Sequence, residues 1–325
     1  MRPPSSGTVP PTVAPAPRRV TPGPFRYPPP MASLRIALAQ TAPRLGALAE
    51  NLAEHAQRIA EARGQGARLV VFPELGLTGY LLQDLAAEVA MPRDDPRLVA
   101  LARAAGDGAA IVSFVEESED HRLFIAAALL EGGGVRHVHR KVHLPTYGLF
   151  DEERFFAAGT GFRAVRSEAL GVTLGIAVCE DFWHLPAPWL LALDGAQLLV
   201  NVSSSPGRDV AAGHAEGIGT AGSWRTLLRT YAQLTTSHLL YVNRVGVDES
   251  LSFWGGSEAI GPSGETLAQA PLHDPALQLV DLDLAEVRRR RIATPLLRDE
   301  RPELVARRLE VLLRTRAGEM PGEGE

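Results

Sequence analysis

Residues 173–178, Thr-Leu-Gly-Ile-Ala-Val, form a short apolar run with β-branched side chains, and polarity returns abruptly at Cys179-Glu-Asp. A run this short, with no polar face, predicts a strand buried on both sides within a layered α/β structure. Cys179 then stands at the strand's carboxyl end. Open α/β sheets place ligands there, because loops from several strands converge. It is also the only cysteine in the chain.

The same pattern recurs along the sequence. Residues 34–40, 68–74, 109–116, 197–202, 239–244 and 277–284 predict further strands. Residues 123–131 and 135–142 read as the arms of a hairpin turned by Gly132-Gly-Gly134, and 257–267 as a second hairpin around Pro262-Ser-Gly264. Helical periodicity covers 48–63 and 96–105, a short helix ends at Leu193, a longer one spans 224–237, and 286–314 form a basic amphipathic tail. No repeat and no linker is visible after the lead. The expectation is a single α/β domain over residues 32–325, with mixed sheets and helices on their faces.

Residues 1–31 are different in kind. They are crowded with proline and lack the continuous apolar stretch of a secretory signal, which predicts a disordered lead; Met31 is a second candidate for the translation start. The chain as a whole is 45% hydrophobic with a formal charge of −5, and basic residues form no sustained stripe. Neither a nucleic-acid partner nor a membrane is expected. A lone cysteine cannot close an intramolecular disulfide, which makes a reducing cytoplasm the expected compartment.

Glu74, Lys141 and Cys179 all fall at predicted strand ends. A thiol needs a base to become a nucleophile, and a carboxylate can take its proton and later return it to a leaving amine. An ammonium beside them can stabilise a tetrahedral oxyanion. Each residue also has a plainer reading: a buried inert thiol, a loop-capping glutamate, a strand-face lysine. Lys141 lies among His137, His139 and His143 at alternating positions, a face that invites a metal. The cation in its midst and the absence of an acidic or cysteine ligand at usable spacing oppose that, so neither metal nor cofactor is expected. A Cys–His pair is a further alternative, with nothing to single out one of the nine histidines.

The segments Phe72-Pro-Glu-Leu-Gly-Leu-Thr-Gly-Tyr80, Arg140-Lys-Val-His-Leu-Pro-Thr-Tyr-Gly-Leu-Phe-Asp-Glu152 and Val178-Cys-Glu-Asp-Phe-Trp183 resemble the three catalytic motifs of the nitrilase, or carbon–nitrogen hydrolase, superfamily. More narrowly, they are similar to the glutaminase domain of glutamine-dependent NAD synthetases. The resemblance implies a four-layer α-β-β-α sandwich, usually assembled as a homo-oligomer. It implies Cys179 as nucleophile, Glu74 as general base, Lys141 as oxyanion stabiliser and Glu152 as the residue orienting Lys141. Tyr147, Glu180, Phe182 and Ser203 would border the substrate, with the backbone N–H of Glu180 completing the oxyanion hole.

No phosphate-binding synthetase domain follows before Glu325, so the expectation is a stand-alone amidase or an ammonia-supplying partner of a separate synthetase. The segments 203–208 and 245–250, expected beside the substrate's far end, depart from the synthetase form. They turn the expectation toward a small carboxamide, with glutamine the first to test. A nitrile hydrolase using the same triad and a non-catalytic subunit are the competing readings.

Overall fold

The structure, a computed structural model, describes residues 33–207 and 219–317. The predicted disordered lead, and Arg208 at the end of the 203–208 segment, lie outside the described residues. The first half of the chain supplies β1 (Leu34–Gln40), β2 (Leu69–Val71), β3 (Ala109–Glu117), β4 (Leu123–Glu131) and β5 (Gly134–Arg140). The second supplies β6 (Ala164–Ser167), β7 (Val172–Val178), β8 (Leu198–Ser203), β9 (His238–Asn243), β10 (Val245–Asp248), β11 (Leu251–Trp254), β12 (Glu258–Ile260), β13 (Thr266–Gln269) and β14 (Ala276–Leu282).

Two six-stranded sheets result, ordered β14-β1-β2-β3-β4-β5 and β13-β12-β9-β8-β7-β6. Both are mixed. Read from β14, the first sheet pairs antiparallel, parallel, parallel, antiparallel, antiparallel. Read from β6, the second repeats that sequence. The two halves thus share a ladder pattern that no sequence repeat announces.

The helices are α1 (Leu48–Gly64), α2 (Leu85–Val89), α3 (Pro96–Ala104), α4 (Pro186–Leu193), α5 (Gly219–Thr235), α6 (Leu284–Ala293), α7 (Leu296–Asp299) and α8 (Pro302–Arg316). Strand parity sorts the side chains. In β1, Leu34, Ile36 and Leu38 join the core that β7, β8 and β9 also enter, whereas Ala37 and Ala39 join the core under α1 and α3. β4 divides in the same way, Ile125, Ala127 and Leu129 to one side and Ala126, Ala128 and Leu130 to the other. On the far face of the second sheet, Leu191 of α4 and Trp224, Leu228 and Ala232 of α5 pack onto the strands. The layers are therefore α-β-β-α, as the motifs implied. No described helix is long and apolar enough to cross a membrane.

Local chemistry accounts for several boundaries. Asp95 caps α3 by accepting from Arg97 N at 2.8 Å, and Pro96 occupies the first turn, where its missing N–H costs nothing. Gly132 and Gly133, at φ +60° and +76°, form the two-residue turn that opposes Glu131 to Gly134. Other boundaries differ from expectation. The strand predicted over 68–74 is only β2, because Pro73 cannot donate to a ladder and turns the chain out of the sheet. The segment 245–250, read as a loop, belongs to the β10–β11 ribbon, turned by Glu249 at φ +49°. The short edge strand β6 carries no alternating apolar pattern and was not foreseen.

Candidate active site

Pro73 throws Glu74 past the end of β2 into a turn whose next residue, Leu75, has φ +48° and donates its N–H to Ser113 Oγ at 2.9 Å. The Glu74 side chain is fully buried. One carboxylate oxygen accepts from Lys141 Nζ at 2.7 Å and the other from the Ser204 N–H at 2.8 Å. Ser204 Oγ returns a bond to the Glu74 carbonyl at 2.8 Å. Glu74, carried by one sheet, is thus fastened to the strand end of the other.

Lys141 is the residue after β5. Its N–H donates to Ile125 O at 2.8 Å and its carbonyl accepts from Gly159 N at 2.7 Å. A Cβ on Gly159 would meet Arg140 O at 2.2 Å, so only glycine allows this backing strand to approach. Nζ also donates to Glu152 Oε1 at 2.8 Å, and Tyr80 Oη donates to that same oxygen at 2.5 Å. Glu152 sits in a 3₁₀ turn, Glu152–Arg154. Tyr80 is held in turn by Asp248, which accepts its N–H at 2.9 Å and is paired with buried Arg244.

These charges shift one another. Burial, with Glu74 adding to it, raises Glu152 to about 7 against the pull of Lys141. Burial works against the Lys141 ammonium, but Glu152 and Glu74 outweigh it and hold the group well above its usual value. Burial, then Glu74, pushes the Cys179 thiol well up, and Lys141 only partly offsets this. The balance of these effects favours the neutral thiol over the thiolate.

Cys179 opens a 3₁₀ turn, Cys179–Trp183, at φ +42°, a region that side-chain-bearing residues seldom occupy. Asn201 holds that conformation from both sides. Its Oδ1 accepts the Cys179 N–H at 3.0 Å, and its Nδ2 donates to the Cys179 carbonyl at 3.3 Å. Ser203 Oγ donates to Asn201 Oδ1 at 2.9 Å.

A cavity of about 270 Å³ opens at the sulfur, lined by Tyr147, Phe150, Cys179, Glu180, Trp183, Ser205, Pro206 and residues of α5 including Trp224. Tyr147 Oη donates to the Glu180 carboxylate, whose two oxygens both lie at 3.0 Å. Burial raises Glu180, and the Tyr147 bond partly opposes this. Trp224 Nε1 donates to Ser205 Oγ at 2.9 Å, fixing one wall.

Of the residues expected at the substrate, Tyr147 and Glu180 line this cavity. Phe182 and Ser203 do not. Phe182 is buried edge-on against Tyr231 at 5.9 Å, and Ser203 lies beneath Asn201. Their places on the wall are taken by Trp183 and Ser205. The 245–250 ribbon, expected beside the substrate, contributes nothing to the cavity lining; its Asp248 braces Tyr80 instead. The histidines also part ways. His139 and His143 both bond to Asp181, while His137 Nε2 is buried without a partner. Burial and neighbouring positive charge lower His137 to about 4. Among the described residues no group of three or more His, Cys, Asp or Glu side chains is placed to hold a metal.

Sequence reasoning missed Tyr80, Asn201, Ser204 and Asp181 as parts of the site. Tyr80 and Asp181 lay inside quoted motifs, and Asn201 and Ser204 at a strand end, but only the fold tells which atoms they reach.

Comparison with known proteins matches residues 35–292 to the carbon–nitrogen hydrolase family model. A glutamine-dependent NAD(+) synthetase of Rhodobacter capsulatus is 37% identical over 255 residues, 77% of this chain and 43% of that protein, so the chain spans less than half the length of this relative. N-carbamoylputrescine amidase of Arabidopsis thaliana is 26% identical over 275 residues, covering 79% of this chain and 89% of the relative. Among solved structures, a mutant of the amidase from Nesterenkonia sp. AN1, showing covalent addition of the acetamide moiety of fluoroacetamide at its active-site cysteine, superposes with TM-score 0.71 at 28% identity, over 86% of this chain and 98% of that one.

Proposed function

This chain belongs to the carbon–nitrogen hydrolase family, enzymes acting on C–N bonds, and from that premise we propose that it hydrolyses a small carboxamide through a thioester on Cys179. The carrying observation is the buried chain Glu74–Lys141–Glu152–Tyr80 beside a cysteine held at positive φ and open to a cavity. Glu74 accepts the thiol proton as the sulfur attacks the amide carbon. Charge gathers on the carbonyl oxygen, and the Lys141 ammonium with the Glu180 backbone N–H stabilises it. Glu74 returns the proton to the nitrogen, the C–N bond breaks and ammonia leaves. Water, deprotonated by Glu74, then attacks the thioester, and the acid departs as sulfur regains its proton.

Glu152 and Tyr80 keep Lys141 aimed and charged. The raised thiol supports this order of events, because a proton must move during attack rather than before it. The Nesterenkonia amidase, whose active-site cysteine takes up the acetamide moiety of fluoroacetamide, supports a nucleophilic cysteine at this position. The Glu180 carboxylate, presented to the cavity between Tyr147 and Trp183, suits an amide whose far end carries an amino group. Self-association and a cytoplasmic setting complete the proposal, with supply of ammonia to a separate synthetase as the alternative to hydrolysis for its own sake.

The test is a panel of L-glutamine, short aliphatic amides and ω-amino amides assayed for ammonia, with rapid quench and mass spectrometry of Cys179. An acyl mass on Cys179 from a substrate that releases ammonia is the expected result. Nitriles turned over while every amide leaves Cys179 bare would replace the amidase reading.

A further inference from the structure

Asp181 is fully buried, and five hydrogen bonds end on its carboxylate. Oδ1 accepts from the N–H groups of Val142 and His143, both at 3.0 Å, and from His143 Nδ1 at 3.2 Å. Oδ2 accepts from His139 Nε2 at 2.8 Å and from the Val178 N–H at 3.0 Å. Both rings must carry their proton on the nitrogen that faces the carboxylate. With two oxygens offering about four lone-pair sites, the group is saturated.

The origin of the donors matters more than their number. Four come from residues 139–143, which have Lys141 at their centre. The fifth is the residue before Cys179. β5 and β7 lie in different sheets, and Lys141's own main-chain bonds, to Ile125 and Gly159, do not reach the second sheet. Asp181 spans that gap. Its ring partners are themselves immobilised: His143 stacks on His184 at 3.6 Å, and both His139 and His143 stack on Phe162, at 5.6 and 5.9 Å.

We propose that Asp181 is a positioning residue whose buried carboxylate sets the placement of Lys141 relative to Cys179, so that alignment of the oxyanion donor depends on it. The inference rests on the roles given above to Lys141 and Cys179. It touches the transition state only through them. Neither His139 nor His143 lines the cavity, so substrate binding should be spared.

Asp181→Asn puts an amide N–H₂ where one acceptor stood, facing donors. Acylation, and with it kcat, should fall about 10²-fold, the order expected for small misplacement of a reacting group, with KM within about twofold. His139→Leu and His139→Gln keep the question open to test if Asp181→Asn folds poorly. Leu removes the side-chain donor and should lower kcat about tenfold, whereas Gln retains an N–H at similar reach and should recover most of it. Lower melting temperatures with unchanged kcat in the folded Asp181→Asn or His139→Leu protein would overturn the positioning role. Rapid-quench mass spectrometry separates the two levels of failure. If wild type turns over amides without ever acylating Cys179, the mechanism itself falls and this inference with it. If wild type acylates Cys179 and the folded variants do so equally fast, only the inference falls.

Discussion

The two sheets have the same order of parallel and antiparallel pairs, yet they bring different groups to the site. From the first come charges: Glu74 after β2 and Lys141 after β5, joined to Glu152 in a buried ion chain. From the second come the Cys179 thiol after β7 and neutral clamps, Asn201 and Ser203 on β8 with Ser204 and Ser205 beyond it, the Glu180 and Asp181 carboxylates of the turn that Cys179 opens being its charged members. One ladder pattern therefore serves two purposes. Charged groups lacking water need one another, so Glu74, Lys141 and Glu152 gather into one chain, and the buried Asp181 carboxylate of the second sheet reaches across to the Lys141 segment for its donors. A strained cysteine backbone needs an amide that both accepts and donates, which asparagine supplies. The contacts that cross between the sheets, Ser204 to Glu74 and Asp181 to the Lys141 segment, hold the two contributions in register.

If the sheets divide the labour in this way, Cys179→Ala should have the largest effect, abolishing turnover while circular dichroism and melting stay near wild type, because little packing is lost at a strand end. Turnover persisting in a folded, wild-type-free preparation would break the assignment of the nucleophile to the second sheet. Lys141→Met comes next, lowering kcat by roughly 10²–10³. A change confined to KM would make Lys141 a substrate anchor instead.

Glu152→Gln sharpens the picture of the charged side. Glu152 is raised from 4.5 to about 7, so between those values the folded protein keeps a proton that the unfolded chain has released. Stability from this group is accordingly present below the unfolded value and lost as pH rises toward about 7, at about 1.4 kcal/mol for each unit separating the two values. The melting temperature of Glu152→Gln relative to wild type should therefore climb between about pH 4.5 and 7 and level off above that. Curves that stay parallel would show that Lys141 cancels the burial of Glu152. The smallest expected effect is none: chelators should leave activity unchanged. Loss on chelation with recovery on zinc would return His137, His139 and His143 to consideration.

Much of this was readable in the sequence for a definite reason. Strand and helix periods are local, so β1 and β3 fall within a residue of the expected spans, and the Gly132–Gly134 turn follows from the need for φ above zero. The placement of Glu74, Lys141 and Cys179 near strand ends was legible for the same reason, whereas Glu152 was implied only by the resemblance. Which neighbour faces the cavity was not. Phe182 and Trp183 are adjacent in one 3₁₀ turn, yet only Trp183 lines the cavity, and Ser203 and Ser205 are separated by the point where β8 leaves its sheet.

The positions of most strands along the chain and the points where polarity interrupts them were determined by the sequence alone, through the periodicity of a few consecutive residues. That Asp181 would gather donors from residues 139–143, that Asn201 would clasp Cys179, and that the two halves would share a ladder pattern were decided only by the tertiary structure. Those relations join atoms far apart along the chain, and hydrogen-bond reach of about 3 Å is set by how the two sheets pack, which no local pattern encodes.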